Sequence, residues 1–278
     1  ADAGAEIIEL SEKLSAPVAQ SMMGLTAVPN SYPLNLGMCG MHGKLAAILA
    51  QSKADLMIAV GVRFSDRATG DVAEYTKNCT VIHIDIDEAE LNKNVPSKIE
   101  LCGNAKTILA ALLKKLPDKK NESWLKTVYE YKKNDEHADV SERFSPRRII
   151  ECVHSFCEDE TVIATDVGQH QMWVTQYYPF EKPHTLLTSG GLGTMGYGLG
   201  ASIGGCIATK EKRTVLFTGD GSFGMNLNEL ATAVSQQLPI LIILFNNGTL
   251  GMVRQWQSMF FEKRYSVTTL DRKTDFIA

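Results

Sequence analysis

The residues best suited to chemistry end two apolar runs. In TVLFTGDGSFGMN (214–226), the run through Val215, Leu216 and Phe217 stops at Gly219-Asp220-Gly221, setting a carboxylate between two glycines. Further on, ILIILF (240–245) ends in Asn246-Asn247-Gly248. Asp and Gly are ordinary turn residues, so a plain loop is the bland reading. The pairing points to more. An Asp oxygen, an amide oxygen and a diphosphate together make the hard oxygen shell that suits Mg²⁺. Glycines let the backbone approach phosphates, and a helix beginning at the loop aims its N–H groups at them.

Gly219-Asp220-Gly221-Ser222-Phe223-Gly224 is also a literal G-x-G-x-x-G, as is Gly191 to Gly196 within SGGLGTMGYGLGASIGG. A dinucleotide-binding oxidoreductase is therefore a competing expectation. Charge argues against it. A carboxylate beside a pyrophosphate is repelled unless a cation lies between them. The acidic residue such sites place roughly 20 positions on, to hold the ribose, is also missing; the second strand delivers neutral Asn246-Asn247 instead.

Elements must position these loops. After the first, Leu227, Leu230, Ala231, Val234 and Leu238 share a helical face, Asn226 and Glu229 fit a capping box, and Pro239 ends the helix. A right-handed strand–helix–strand crossover brings Asp220 and Asn247 to neighbouring carboxyl ends if the strands are adjacent. That edge is where open α/β sheets bind ligands. Elsewhere ADLMIAVGV (54–62), TVIHIDID (80–87) and TVIATDV (161–167) read as strands, the first and last buried, and NAKTILAALLKKL (104–116) as an amphipathic helix. Ser145-Pro146 reads as a helix cap followed by proline at the first helical position. The alternation predicts an α/β protein of two domains, each a parallel sheet flanked by helices. We place them at residues 1–117 and 141–278, with a charged linker carrying a solvated helix at 118–140.

Composition sets outer limits. The 278 residues are 44% hydrophobic and 22% charged, the balance of a globular protein with a sizeable core. A net charge of −4 argues against nucleic acid as a partner, and the apolar runs, of which 240–245 is among the longest, are far short of a membrane span. Cys39, Cys79, Cys102, Cys152, Cys157 and Cys206 are scattered, which reads as structural thiols in a reducing compartment.

The order GDG, helix, strand, NN resembles the cofactor motif of thiamine diphosphate (ThDP)-dependent enzymes. More narrowly, the chain resembles the large catalytic subunits of acetohydroxyacid (acetolactate) synthases. GMCGMHG (37–43), GVRFSDRATG (61–70), HIDID (83–87), DVGQHQMW (166–173), TSGGLGTMGYGLG (188–200), GDGSFGMNLNEL (219–230) and NNGTLGMVRQWQ (246–257) follow one another in the family's order. The resemblance implies Asp220, Asn247 and the Thr249 carbonyl as Mg²⁺ ligands. It implies Gly219, Gly221, Ser222, Gln169, His170, Gly193 and Met252 as cofactor contacts, and Met195 as the support of bent ThDP. By the same likeness Trp256 shapes the pocket for the second substrate. Arg67, oriented by Asp66, binds that substrate's carboxylate. His42, Arg63 and Asp85 touch a structural FAD, and Met41 lines the entrance. Ser65 and Asn104 stand where the family usually has Asp, both on the flavin side.

The resemblance also implies an activity for the parent protein: two 2-oxo acids (pyruvate with pyruvate or 2-oxobutyrate) condense with loss of CO₂ to acetolactate or acetohydroxybutyrate. This is a step in valine, leucine and isoleucine biosynthesis. A homodimer or homotetramer, a small regulatory subunit and a cytoplasmic, bacterial-type location go with it. Another ThDP-dependent carboligase, decarboxylase or oxidase, such as glyoxylate carboligase, remains the alternative, as does a non-catalytic diphosphate-binding fragment; the isolated piece is expected to be inactive. The chain starts and stops mid-element, so we read it as a piece with both domains incomplete. The family's pyrimidine-binding domain, which supplies the cofactor-activating glutamate, is expected to lie outside it.

Overall fold

A computed structural model of the chain describes residues 1–136, 144–210, 213–271 and 274–276. It forms two compact units, Ala1–Arg143 with Pro179–Pro183, and Phe144–Tyr178 with His184–Ala278.

The first unit runs α1 (Gly4–Leu14), β1 (Val18–Gln20), β2 (Asn35–Met38), α2 (Leu45–Lys53), β3 (Leu56–Val60), α3 (Asp66–Thr69), α4 (Val72–Tyr75), β4 (Thr80–Asp85), β5 (Ile99–Cys102), α5 (Ala105–Leu113) and α6 (Glu122–Glu136). β1 pairs with β2, and β3, β4 and β5 form a second sheet in that order; all pairings are parallel. The expected apolar face of α5 is borne out. Leu109 is fully buried beside Ile84 and Leu10, with Ile108, Leu112, Leu113 and Leu116 packed against them. The side chain of Asn104 caps this helix, accepting the Thr107 N–H at 3.3 Å.

Two expectations change here. The run at 54–62 reads as a buried strand, yet β3 is an edge strand whose Leu56 is exposed and whose only buried residue is Ala59. The charged stretch 118–140 reads as a linker with a solvated helix; its last residues, 137–140, lie outside the described ones. The helix within it, α6, packs on α2. Val128 is fully buried against Leu36, Ala46, Ala47 and Ala50, with Trp124 and Tyr131 alongside. Positions 124, 128, 131 and 135 share one face, so the charges fill the outer stripe and do not prevent docking. Asp135 accepts the Ala46 N–H at 2.9 Å. It thereby supplies the N-terminal cap that Lys44 does not give α2.

The second unit runs α7 (Pro146–His154), β6 (Val162–Thr165), α8 (Gln169–Tyr177), β7 (Leu186–Leu187), α9 (Tyr197–Ala208), β8 (Thr214–Gly219), α10 (Asp220–Asn226), α11 (Leu230–Ser235), β9 (Ile240–Phe245) and α12 (Gly251–Phe260), with a 3₁₀ turn over Leu227–Glu229. Ser145 caps α7 as expected, accepting the Arg148 N–H. The sheet is parallel throughout, in the order β7-β6-β8-β9. Every residue of β6 and β8 is buried, which is why both read as continuous apolar runs.

α9 holds four glycines in YGLGASIGGCIA, a poor helix former by propensity. Packing explains two of them. A Cβ at Gly198 falls 2.9 Å from the Asp166 backbone nitrogen, and one at Gly205 falls 3.1 Å from Val162 Cγ1 and 3.0 Å from Leu187 Cδ1. At Gly198 the helix lies against backbone that cannot yield, and at Gly205 a methyl would need Leu187 and Val162 to give by a few tenths of an ångström.

Candidate active site

The carboxyl edge of the second sheet collects the site. β8 and β9 are neighbours in register from Thr214↔Ile240 to Gly219↔Phe245, so the GDG and NN loops leave adjacent strand ends. They are joined directly. Asp220, only 6% exposed, accepts the Gly248 N–H on Oδ2 at 2.9 Å. Asn247 Oδ1 accepts the Thr249 N–H at 3.1 Å, which tightens the same loop. A strap over residues 268–270 holds it from outside: Leu250 N and Thr249 Oγ1 donate to the Thr268 carbonyl, and Leu270 N donates to the Gly248 carbonyl.

Three glycines of this edge stand close against side chains of the site. A Cβ at Gly219 falls 2.9 Å from His170 Nδ1, one at Gly221 falls 2.7 Å from Leu250 Cδ2 and 3.6 Å from Met195 Cε, and one at Gly251 falls 2.0 Å from Gln169 Oε1. The structure thus brings Met195 to Gly221, His170 to Gly219 and Gln169 to the start of α12. Ser222 departs from a simple phosphate-ligand picture. It is buried, and its hydroxyl donates to the Val167 carbonyl at 2.7 Å. The donors that turn offers to an anion are backbone N–H groups, which have no carbonyl four residues back within the helix. Gly193 takes a left-handed φ of 66° in the exposed turn before Met195. Met252 and Trp256 lie on α12, where the Trp256 ring tilts against Phe260 with centroids 5.1 Å apart.

The capping box expected from Asn226 and Glu229 does not form. The helix begins earlier, at Asp220, and breaks into a 3₁₀ turn at Leu227. Asn226 makes no cap and donates its amide to the Gly196 carbonyl at 2.8 Å. Asp166 is a residue to which sequence reasoning assigns no role. It is 1% exposed; Oδ1 accepts Gly196 N at 2.8 Å and Val167 N at 3.1 Å, and Oδ2 accepts Thr218 Oγ1 at 3.2 Å. Burial pushes its carboxyl above the ordinary range, opposed by these hydrogen bonds.

His170 is buried, and among the described residues its Nε2 has no hydrogen-bond partner. Burial pushes its imidazole from 6.5 down to about 4, with the Asp166 backbone pulling weakly the other way. The ring is therefore neutral at pH 7 in the folded protein. An unfolded chain takes up a proton near pH 6.5, which the folded chain refuses until about pH 4. The stability tied to His170 is thus complete above pH 6.5 and falls as pH drops through this window, by about 3 kcal/mol in all. Urea melts should lose that part of their acid sensitivity in His170→Gln; an unchanged slope between pH 6.5 and 4 would refute the account.

In the first unit, the GMCGMHG turn meets the loop after β3. Met41 N donates to the Arg67 carbonyl at 2.9 Å, and a Cβ at Gly40 falls 2.9 Å from that same oxygen. His42 is held below the ordinary imidazole range by burial and then by the Arg67 charge. Arg67 pairs with Asp66 at 2.9 Å with both side chains exposed, so the pair orients the guanidinium more than it stabilises the fold. Phe64 bends the loop with a left-handed φ of 49°, and its ring is wedged edge-on against His83 and Tyr75. Arg63 and Asp85 follow or end the adjacent strands β3 and β4; the Arg63 carbonyl accepts Asn94 Nδ2, and Asp85 Oδ1 accepts the Asp87 N–H.

The donor set fits a diphosphate held through a divalent cation. Among the described residues no three His, Cys, Asp or Glu side chains cluster as a metal cage. A single carboxylate with amide and carbonyl oxygens leaves places for phosphate oxygens and suits Mg²⁺. A buried imidazole nitrogen without a partner at the same edge leaves a polar atom for a ligand to satisfy.

Sequence comparison agrees with this edge. Residues 166–278 match the thiamine pyrophosphate enzyme C-terminal TPP binding domain, and residues 1–112 match the thiamine pyrophosphate enzyme central domain. The chain belongs to the thiamine pyrophosphate enzymes. Within them it is similar to acetolactate synthase large subunits. It is 40% identical to that of Haemophilus influenzae, over 99% of this chain and 50% of that protein. It is 42% identical to that of Lactococcus lactis, over 95% and 47%. It is 41% identical to a probable acetolactate synthase large subunit of Methanocaldococcus jannaschii, over 99% and 48%. The chain spans about half the length of the curated relatives it matches.

Proposed function

We propose that the protein these residues belong to is an acetolactate synthase, joining pyruvate to a second pyruvate or to 2-oxobutyrate with release of CO₂. The observation that carries the reading is the Asp220–Gly248 hydrogen bond, which locks the GDG and NN loops of neighbouring strands into one oxygen-rich edge. The similarity to acetolactate synthase large subunits along nearly the whole chain supports this choice over other carboligases of the family. When bound, ThDP supplies the electron sink for decarboxylation and carbon–carbon bond formation.

The residues divide the remaining work. Asp220, Asn247 and the Thr249 carbonyl hold Mg²⁺; backbone N–H groups of Gly221 and Ser222 receive phosphate oxygens; Gln169 and His170 flank them. Met195 sets the cofactor's bend from beside Gly221. Neutral His170 adds a polar contact without a charge of its own. Arg67 receives a substrate carboxylate with Asp66 fixing its direction, Trp256 bounds the space for the second substrate, and Met252 lies against the cofactor. His42, Arg63 and Asp85 are assigned to a structural FAD in the first unit. A small regulatory subunit and a homo-oligomer complete the proposal. No helix among the described residues is long and apolar enough to cross a membrane.

The test is direct: the whole protein, purified with Mg²⁺ and ThDP, is given pyruvate alone and pyruvate with 2-oxobutyrate. Acetolactate and acetohydroxybutyrate are expected. Tartronate semialdehyde from glyoxylate, with no product from pyruvate, would move the assignment to the other carboligase.

A further inference from the structure

Met195 stands one residue before a glycine held at both its backbone N–H and its backbone carbonyl. Gly196 takes a left-handed φ of 88°. Its N–H donates to Asp166 Oδ1 at 2.8 Å, and its carbonyl accepts Asn226 Nδ2 at 2.8 Å. A Cβ at Gly196 falls 3.3 Å from Asn226 Nδ2 and Met225 Cβ, so the grip is close as well as polar. The other carboxylate oxygen of Asp166 accepts the hydroxyl of Thr218, two residues before Asp220. One buried carboxylate from the end of β6 therefore joins the Met195 corner to the end of β8, and Asn226 closes the corner from the far end of α10.

We propose that Asp166 and Asn226 are positioning residues that clamp the Gly196 backbone from its two sides and so fix Met195 against Gly221, setting the bend of the bound cofactor. This rests on the ThDP reading above. Burying a carboxylate is costly unless its oxygens are bonded, and the bonds to this one run to backbone and hydroxyl groups that frame the site. Asn226 is exposed and makes no capping bond; its amide is spent on Gly196. The clamp acts on geometry, so its loss weakens turnover and leaves the Mg²⁺–diphosphate anchor in place.

The experiment compares Asn226→Ala with wild type and with Ser202→Ala, all in the whole protein. Ser202 is a control: its fully buried hydroxyl donates to the Leu199 carbonyl within α9. For Asn226→Ala the Kd for ThDP at saturating Mg²⁺ should stay within about threefold of wild type. The near-ultraviolet circular dichroism of the bound cofactor, which reports its bent ring geometry, should lose most of its intensity. kcat should fall about ten- to hundredfold with little change in KM for pyruvate. Ser202→Ala should lower the urea midpoint while leaving the dichroism and kcat as in wild type. Thr218→Val removes the hydroxyl donor at nearly constant shape and keeps the test open if Asn226→Ala does not fold; it should move the dichroism the same way. Wild-type dichroism and kcat in a folded clamp variant would overturn the proposal. A wild-type protein that fails to bind ThDP would instead overturn the reading beneath it.

Discussion

Asp220→Ala is expected to abolish Mg²⁺-dependent ThDP binding. Asp220 supplies the carboxylate of the joined GDG–NN loop, and it is nearly buried. Without it a divalent cation meets neutral amide and carbonyl oxygens, and the diphosphate's charges lose their counterion. The substitution also strands the Gly248 N–H, which loosens the loop carrying Asn247 and Thr249. Together these should raise the Kd for ThDP by about a hundredfold or more, roughly 3 kcal/mol. Asp220→Asn separates the two losses, since an amide oxygen can still accept from Gly248 but carries no charge. Calorimetric titration of ThDP at fixed Mg²⁺ should show both variants defective, with the asparagine variant keeping the wild-type melting temperature. Undiminished binding in Asp220→Ala would remove the metal assignment.

The second large effect is a reversal of sign within one helix. Gly198→Ala should destabilise the second unit by about 2 kcal/mol, because its methyl meets the Asp166 backbone at 2.9 Å and Leu216 Cδ1 at 2.8 Å. Backbone cannot yield as a side-chain tip can, so overpacking outweighs the gain of at most about 1 kcal/mol from replacing a helical glycine. Gly200, two positions on, has nothing within 4 Å of its Cβ direction. There only the propensity gain remains, and Gly200→Ala should stabilise by about 0.5–1 kcal/mol. Urea midpoints moving in the same direction for the two variants would contradict the packing account of α9.

The parts of this molecule legible in its sequence are those whose reason is local. Apolar runs bounded by glycine and asparagine mark β8 and β9, the Ser145-Pro146 pair marks the start of α7, and the α5 face follows from spacing. The GDG and NN loops are readable because chemistry confines their residue types. The roles of Asp166 and Asn226 are not, since both bond Gly196 across 30 residues of chain and no periodicity encodes such a partner. Asn226 even carries a false local signal: Glu229 three positions on suggests a capping box, but the Gly196 carbonyl takes the amide. α6 misleads for a related reason. Its charges describe the outer stripe, while Trp124, Val128 and Tyr131 are enough to dock the other face. The exposure of Leu56 depends on how many strands flank β3, a property of topology that the run at 54–62 does not hold.

The parallel order β7-β6-β8-β9 also bears on how the site is assembled in time. Pairing Thr214 with Ile240 closes half as much chain as pairing Val162 with Thr214. The shorter closure costs roughly 0.6 kcal/mol less entropy and is rewarded by a longer ladder, so kinetics favour β8–β9 as the earlier contact. The Asp220–Gly248 bond falls inside that local segment and can form with it. The Asp166 contacts to Gly196 and Thr218 wait for β6 and for the turn that precedes α9. On this order the GDG–NN loop is expected to form before the corner that carries Met195, with the Asp166–Thr218 contact, the most distant of these in sequence, closing last.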